Sequence, residues 1–216
     1  MNDTNLNTHT ISRSKIQDVK TVRAVLSYLD IIIKNNMNNL SKLPPRADVF
    51  SCLVSINSYN DMSLKCKKTC QNFRLVSKVK FILRLYNFAT DIDLSCKCIQ
   101  VLISMFPMGD DDDKNERAVQ NIMFKENITG TVIQVLQVNT ESSSLARYCM
   151  IFFFRTCRND AAKAKILRKQ GCLELIKRTI SVHAKNRVSG LLVLQPAKQA
   201  LESVWYGAKK QKNNMK

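Results

Sequence analysis

Three stretches of this sequence, LSCKCIQVLISMF (94–106), LARYCMIFFFRTC (145–157) and PAKQALESVWYGA (196–208), carry apolar side chains at helical spacing and stand 51 residues apart. A second trio, FILRLYN (81–87), VIQVLQVN (132–139) and CLELIKRTI (172–180), follows at steps of 51 and then 40. The 40-residue step reads as the basic period, with PMGDDDDKN (107–115) and AKNRVSGLL (184–192) each adding about ten residues once. Self-similarity at this length marks an array of two- or three-helix units. Each unit is too small to bury its own apolar face, so its neighbours must bury it. Phe152, Phe153 and Phe154 in succession point around most of a helix, which therefore needs cover on several sides. Either Phe153 or Phe154 is expected to be fully buried.

The punctuation agrees with an all-α chain. Only five Gly and four Pro occur in 216 residues, too few for the turns of an all-β protein. Apolar residues make up 45%, enough for a core, and a chain this long can bury roughly 70% of its unfolded surface. Helical periodicity predicts helices over 15–38, 47–56, 62–73 and 75–88 ahead of the repeated blocks. The stretch NNMNNLSKLPPR closes the first, because Asn is a poor helix former and Pro44–Pro45 stops a helix. The expected division is a disordered tail over 1–14, a helical-repeat domain over 15–208 and a basic tail over 209–216. No apolar run approaches the ~20 residues of a membrane span.

Eight cysteines sit mostly inside apolar-periodic stretches, where a free thiol behaves as a small buried hydrophobe. The polar opening, residues 1–14, has no apolar signal core. A reducing compartment, cytoplasm or nucleus, with free thiols is expected.

The stretch MIFFFRTCRNDAAKAKILRKQGCLELIKR (150–178) resembles the junction between armadillo repeats. In that family a long third helix ends, a polar joint carries Asn or Asp, a short first helix follows, and a Gly opens the second. Here Asn159 and Asp160 fit the joint, 161–169 the short helix and Gly171 the break. KNERAVQNIMFKENITGTVIQVLQVN (114–139) repeats the arrangement, with Gly130 in the place of Gly171. The resemblance covers roughly 62–208 and implies an armadillo-like right-handed α-solenoid that acts as a non-enzymatic adaptor or scaffold for a protein partner. Peptide-binding members of the family carry an asparagine ladder on the third helices. The matching positions here are Ser104, Thr156 and Gly207, and Phe152 falls where an accompanying tryptophan would. The scaffold is thus expected without the peptide-backbone ladder.

No catalytic, cofactor or metal constellation is expected. His9 and His183 are the only histidines, which rules against a His-centred triad or multi-His metal site. Cys66 and Cys70, or Cys96 and Cys98, lack zinc-knuckle spacing. No phosphate-cradling glycine loop occurs, and the run Asp110–Asp113 lacks the alternation of a calcium loop. Charge carries the remaining signal. The net charge is +17, and residues 145–216 hold sixteen Lys/Arg against three Asp/Glu. The candidate partner-binding patch is Arg155, Arg158, Lys163, Arg168, Lys169, Lys177 and Arg178. Its expected ligand is an acidic segment of a protein, with nucleic acid as the alternative partner of the basic half. Trp205 reads as a buried residue at the end of the stack, or else as an exposed aromatic cap.

Overall fold

The computed structural model describes residues 19–37, 45–58, 70, 74–86, 90–107 and 113–206. The expected tails 1–14 and 209–216 lie outside the described residues, as does the helix expected over 62–73 save Cys70, which is helical and buried. Among the described residues the fold is all-helical, with ten helices and no strand.

The first helix, α1 (Val19–Met37), buries Val22, Leu26, Leu29, Ile32 and Ile33, a stripe at the period of the helix. Pro45 precedes α2 (Arg46–Asn57), where a missing N–H costs nothing, and its carbonyl accepts from Asp48 and Val49. Next come α3 (Leu75–Leu85) and α4 (Ile92–Ser104). The Asp91 carboxylate caps α4 by accepting from the Leu94 N–H, and the Arg46 guanidinium grips the same carboxylate from the start of α2. Then follow α5 (Asp113–Lys125), α6 (Ile128–Val138) and α7 (Ser143–Cys157), the last capped by Ser142. The short α8 (Ala161–Lys169) is capped by Asp160; α9 (Cys172–Ala184) and α10 (Arg187–Tyr206) complete the order.

The helices pack in two rows. α1, α3, α6 and α9 touch in succession, as do α2, α4, α7 and α10, and rungs pair α1 with α2, α3 with α4, α6 with α7, and α9 with α10. The short helices α5 and α8 lean on the second row, α5 against α7 and α8 against both α7 and α10. Polar tethers between units span about one unit of chain. The His183 Nε2–H donates to the Thr140 carbonyl at 2.8 Å and the Lys163 ammonium to the Gln120 amide oxygen at 3.1 Å, each across 43 residues.

Three residues in the left-handed region open the helices of the first row: Arg74 (φ 51°) before α3, Asn127 (φ 49°) before α6 and Gly171 (φ 80°) before α9. The backbone thus repeats a joint that the side chains disguise. Only Gly adopts this conformation freely; Asn tolerates it, and Arg holds it at a cost. Gly130 is therefore not the counterpart of Gly171. It lies inside α6, and Asn127 takes the left-handed place. The fourth such residue, Asn159 (φ 59°), makes the polar joint before α8 as its sequence suggests.

Two boundaries depart from the sequence expectation. The stretch 184–192 is no added loop: Ala184 ends α9 and Arg187 already begins α10. Helix α10 consequently runs past Pro196, which lies within it. Pro196 cannot donate to the Leu192 carbonyl, and that helix turn is exposed at Leu192, where water can take the place of the missing N–H. The buried stripe of α10, Val193, Ala197, Ala200 and Val204, includes two alanines that allow close approach to the helices it packs on. Gly190 serves the same end. A Cβ there would stand 3.2 Å from the His183 carbonyl, tighter than packing ordinarily allows. The second boundary is at α3, which ends at Leu85 rather than at 88, with Tyr86 as its cap.

The phenylalanine run behaves as expected. Phe152 and Phe153 are fully buried, edge to face at 5.9 Å, and Phe154 is half-buried.

Candidate partner-binding surface

The seven cations proposed from sequence do not form one free patch. Helix α7 delivers Arg155 to its last turn with the side chain only 18% exposed. There the guanidinium lies 3.2 Å from the buried Glu116 carboxylate, donates to the Pro107 carbonyl at 2.6 Å and covers the Phe106 ring. Lys163 is buried in the first turn of α8. Its ammonium bonds the Asp160 carboxylate at 2.8 Å and the Gln120 amide oxygen. Burial alone would raise the Asp160 carboxyl, but the Lys163 ammonium and amide N–H bonded to it hold it below the usual carboxylate range.

Gln120 is the centre of this joint. It is fully buried on α5, and its amide nitrogen donates to the carbonyls of Arg155 and Arg158 at 2.9 and 3.0 Å. One side chain thereby serves the open carbonyl end of α7 and anchors the first turn of α8. Arg158 contributes mainly its carbonyl here; its guanidinium rests over the Phe154 ring at 5.6 Å.

At the far end of α8, Arg168 reaches across to α10. One of its nitrogens donates to the Val204 carbonyl at 2.6 Å and to the Trp205 carbonyl at 2.8 Å. Cations suit a helix C-terminus, and this one satisfies two of its last carbonyls. Lys169, Lys177 and Arg178 are exposed. Lys177 pairs with Glu174 at 2.8 Å and stands 5.8 Å from the centre of the Trp205 ring. Trp205 and Tyr206 are each 51% exposed, so the tryptophan is not the buried residue that aromatic burial statistics favour.

Sequence reasoning overlooked Gln120 and Glu116. Their signal was present: Glu116, Val119, Gln120 and Met123 share one buried helix face, so two polar side chains occupy inward positions of α5. Such residues are kept only where partners await them.

Two of the ladder positions turn their side chains to their own helices. The Ser104 and Thr156 hydroxyls are buried and donate to the Val101 and Phe153 carbonyls of their own helices. Gly207 lies outside the described residues. The described cysteines are free, and Cys66 lies outside them. Burial pushes the Cys96 thiol up to about 11 and Cys157 to about 12, with Cys98, Cys149 and Cys172 raised by the same cause. Raised in this way, these thiols favour the protonated form at neutral pH. Among the described residues no group of three or more His, Cys, Asp or Glu side chains converges as a metal would require, and no helix is long and apolar enough to cross a membrane. No family model, no curated protein and no solved structure matches the chain.

Proposed function

We propose that this chain is an armadillo-like helical-repeat adaptor, non-enzymatic, that holds a protein partner through an acidic segment of that partner. The observation that carries the architecture is the thrice-repeated left-handed opening at Arg74, Asn127 and Gly171, set in two rows of helices that touch in succession. Such succession supports a quasi-one-dimensional stack. The charge surplus beyond residue 145 carries the choice of an acidic partner. Because the Ser104 and Thr156 hydroxyls are spent within their own helices, the partner is recognised by charge and apolar side chains and not by a ladder on its backbone. The buried thiols suit a reducing compartment, the cytoplasm or the nucleus.

The same surplus supports a second reading, a nucleic-acid-associated module, and salt separates the two. Partner capture on the immobilised full chain, identified by mass spectrometry at low and high salt, is the test. A protein partner held through a partly apolar interface survives most of the salt rise. Nucleic acid held through several phosphates is lost steeply, by counterion release. Recovery of nucleic acid alone, only at low salt, favours the second reading.

A further inference from the structure

Arg168 fixes the last turn of α10 by satisfying two of its carbonyls, and that turn presents two adjacent aromatic rings. Trp205 and Tyr206 stand edge to face, 6.4 Å apart at 75°, half exposed. Trp, Tyr and Arg are the residue types that dominate binding energy at protein interfaces, most of all when held rigid before the partner arrives. Around this pair lie exposed cations. Lys165, one turn before Arg168, and Lys169, one turn after Lys165, are exposed on α8, and the exposed Lys177 of α9 stands 5.8 Å from the centre of the Trp205 ring. Ile166, 43% exposed, adds apolar surface to the same short helix.

We propose that this end of the α8–α9–α10 cluster is the docking site for a short acidic segment that carries one aromatic or aliphatic anchor; the inference rests on the adaptor reading above. The anchor packs on Trp205 and Tyr206, and its flanking carboxylates face Lys165, Lys169 and Lys177. Charge complementarity selects this occupant. The sequence after Tyr206, GAKKQKNNMK, has four lysines and no carboxylate, so this segment matches the site in sign and cannot complement it. Nucleic acid suits the site less. Single strands stack bases on an open ring face along a continuous track of free cations. Here Arg155, Lys163 and Arg168 are bonded internally, which interrupts such a track.

Trp205 is the only tryptophan in the chain, so its fluorescence reports this site alone. The probe is a synthetic peptide of Asp and Glu around a single Phe, titrated into the full chain. Controls are the same peptide with Asn and Gln for the acids, one with Ala for Phe, and a poly-uridine oligomer. The acidic Phe peptide is expected to shift the emission to the blue. The triple variant Lys165→Glu, Lys169→Glu, Lys177→Glu, checked for unchanged helical content, is expected to weaken binding by about tenfold or more. Tyr206→Ala is expected to weaken it with the tryptophan signal intact. No emission change on saturation, or equal binding by the triple variant, overturns the site. A larger and tighter response to poly-uridine than to the peptide overturns the choice of occupant. The adaptor reading fails separately, when salt-resistant protein capture is absent from the wild-type chain. Capture that persists unchanged in the triple variant sinks this site and leaves the adaptor standing.

Discussion

Two places on the same short helix hold lysines and arginines to opposite ends. At the start of α8, Lys163 is buried between Asp160 and Gln120, beside Arg155 on Glu116. Past its end, Lys169 and Arg178 project from the surface, and Lys177 pairs with the exposed Glu174 carboxylate. The first group lies where the effective dielectric is low and each bond matters to stability. The second lies in water, where an ion pair contributes little to folding and leaves charge available for a partner. The density of basic residues in the sequence therefore measures neither folding nor binding by itself. The acceptors that the fold brings within reach divide the cations between the two tasks.

That division can be broken in four ways, in falling order of effect. Phe153→Ala, beneath the joint, is expected to cost about 3–5 kcal/mol as a cavity in a fully buried site. Urea unfolding measures it, and an unchanged midpoint would mean that the ring is not enclosed. Gln120→Ala strips partners from two helix-end carbonyls and from the Lys163 ammonium together, at a cost of about 2–4 kcal/mol. If that variant is as stable as the wild type, the joint does not depend on this amide. Arg168→Ala stands between the two regions, since it belongs to the surface by position and to the interior by its bonds. Its expected cost is about 1–2 kcal/mol, with faster amide exchange in the last turn of α10. Lys169→Ala and Arg178→Ala come last, each within about 0.5 kcal/mol of wild type. A larger loss at either would place it among the structural cations.

Much of the fold was legible in the sequence because apolar period reports burial directly. The stripes of α1 and α10 and the buried phenylalanines follow from spacing alone. The joints were legible only where a recognisable side chain marks them. Asp160 and Gly171 announce theirs; Asn127 and Arg74 adopt the same left-handed backbone without glycine's signature, which is how Gly130 came to stand in for Asn127. Helix α10 misled for a related reason. Pro196 signals a helix start on its own, yet the chain was already helical before it, with the freed carbonyl at an exposed turn. For the candidate site, charge named the cations and failed to sort the bonded from the exposed. Whether a lysine is bonded depends on acceptors about 40 residues away, and no local pattern encodes them.

The tethers that join successive units have a consequence for how the chain comes into being. Arg46 meets Asp91 across 45 residues, Lys80 meets the Glu126 carbonyl across 46 and His183 meets Thr140 across 43. None of these contacts waits for the far end of the molecule. Loop closure at such separations is modest and nearly the same for these three contacts. On a ribosome that delivers the chain from its first residue, α1 to α4 can pair while the aromatic end of α10 is still unmade. The proposed docking surface is then completed after the helices that support it.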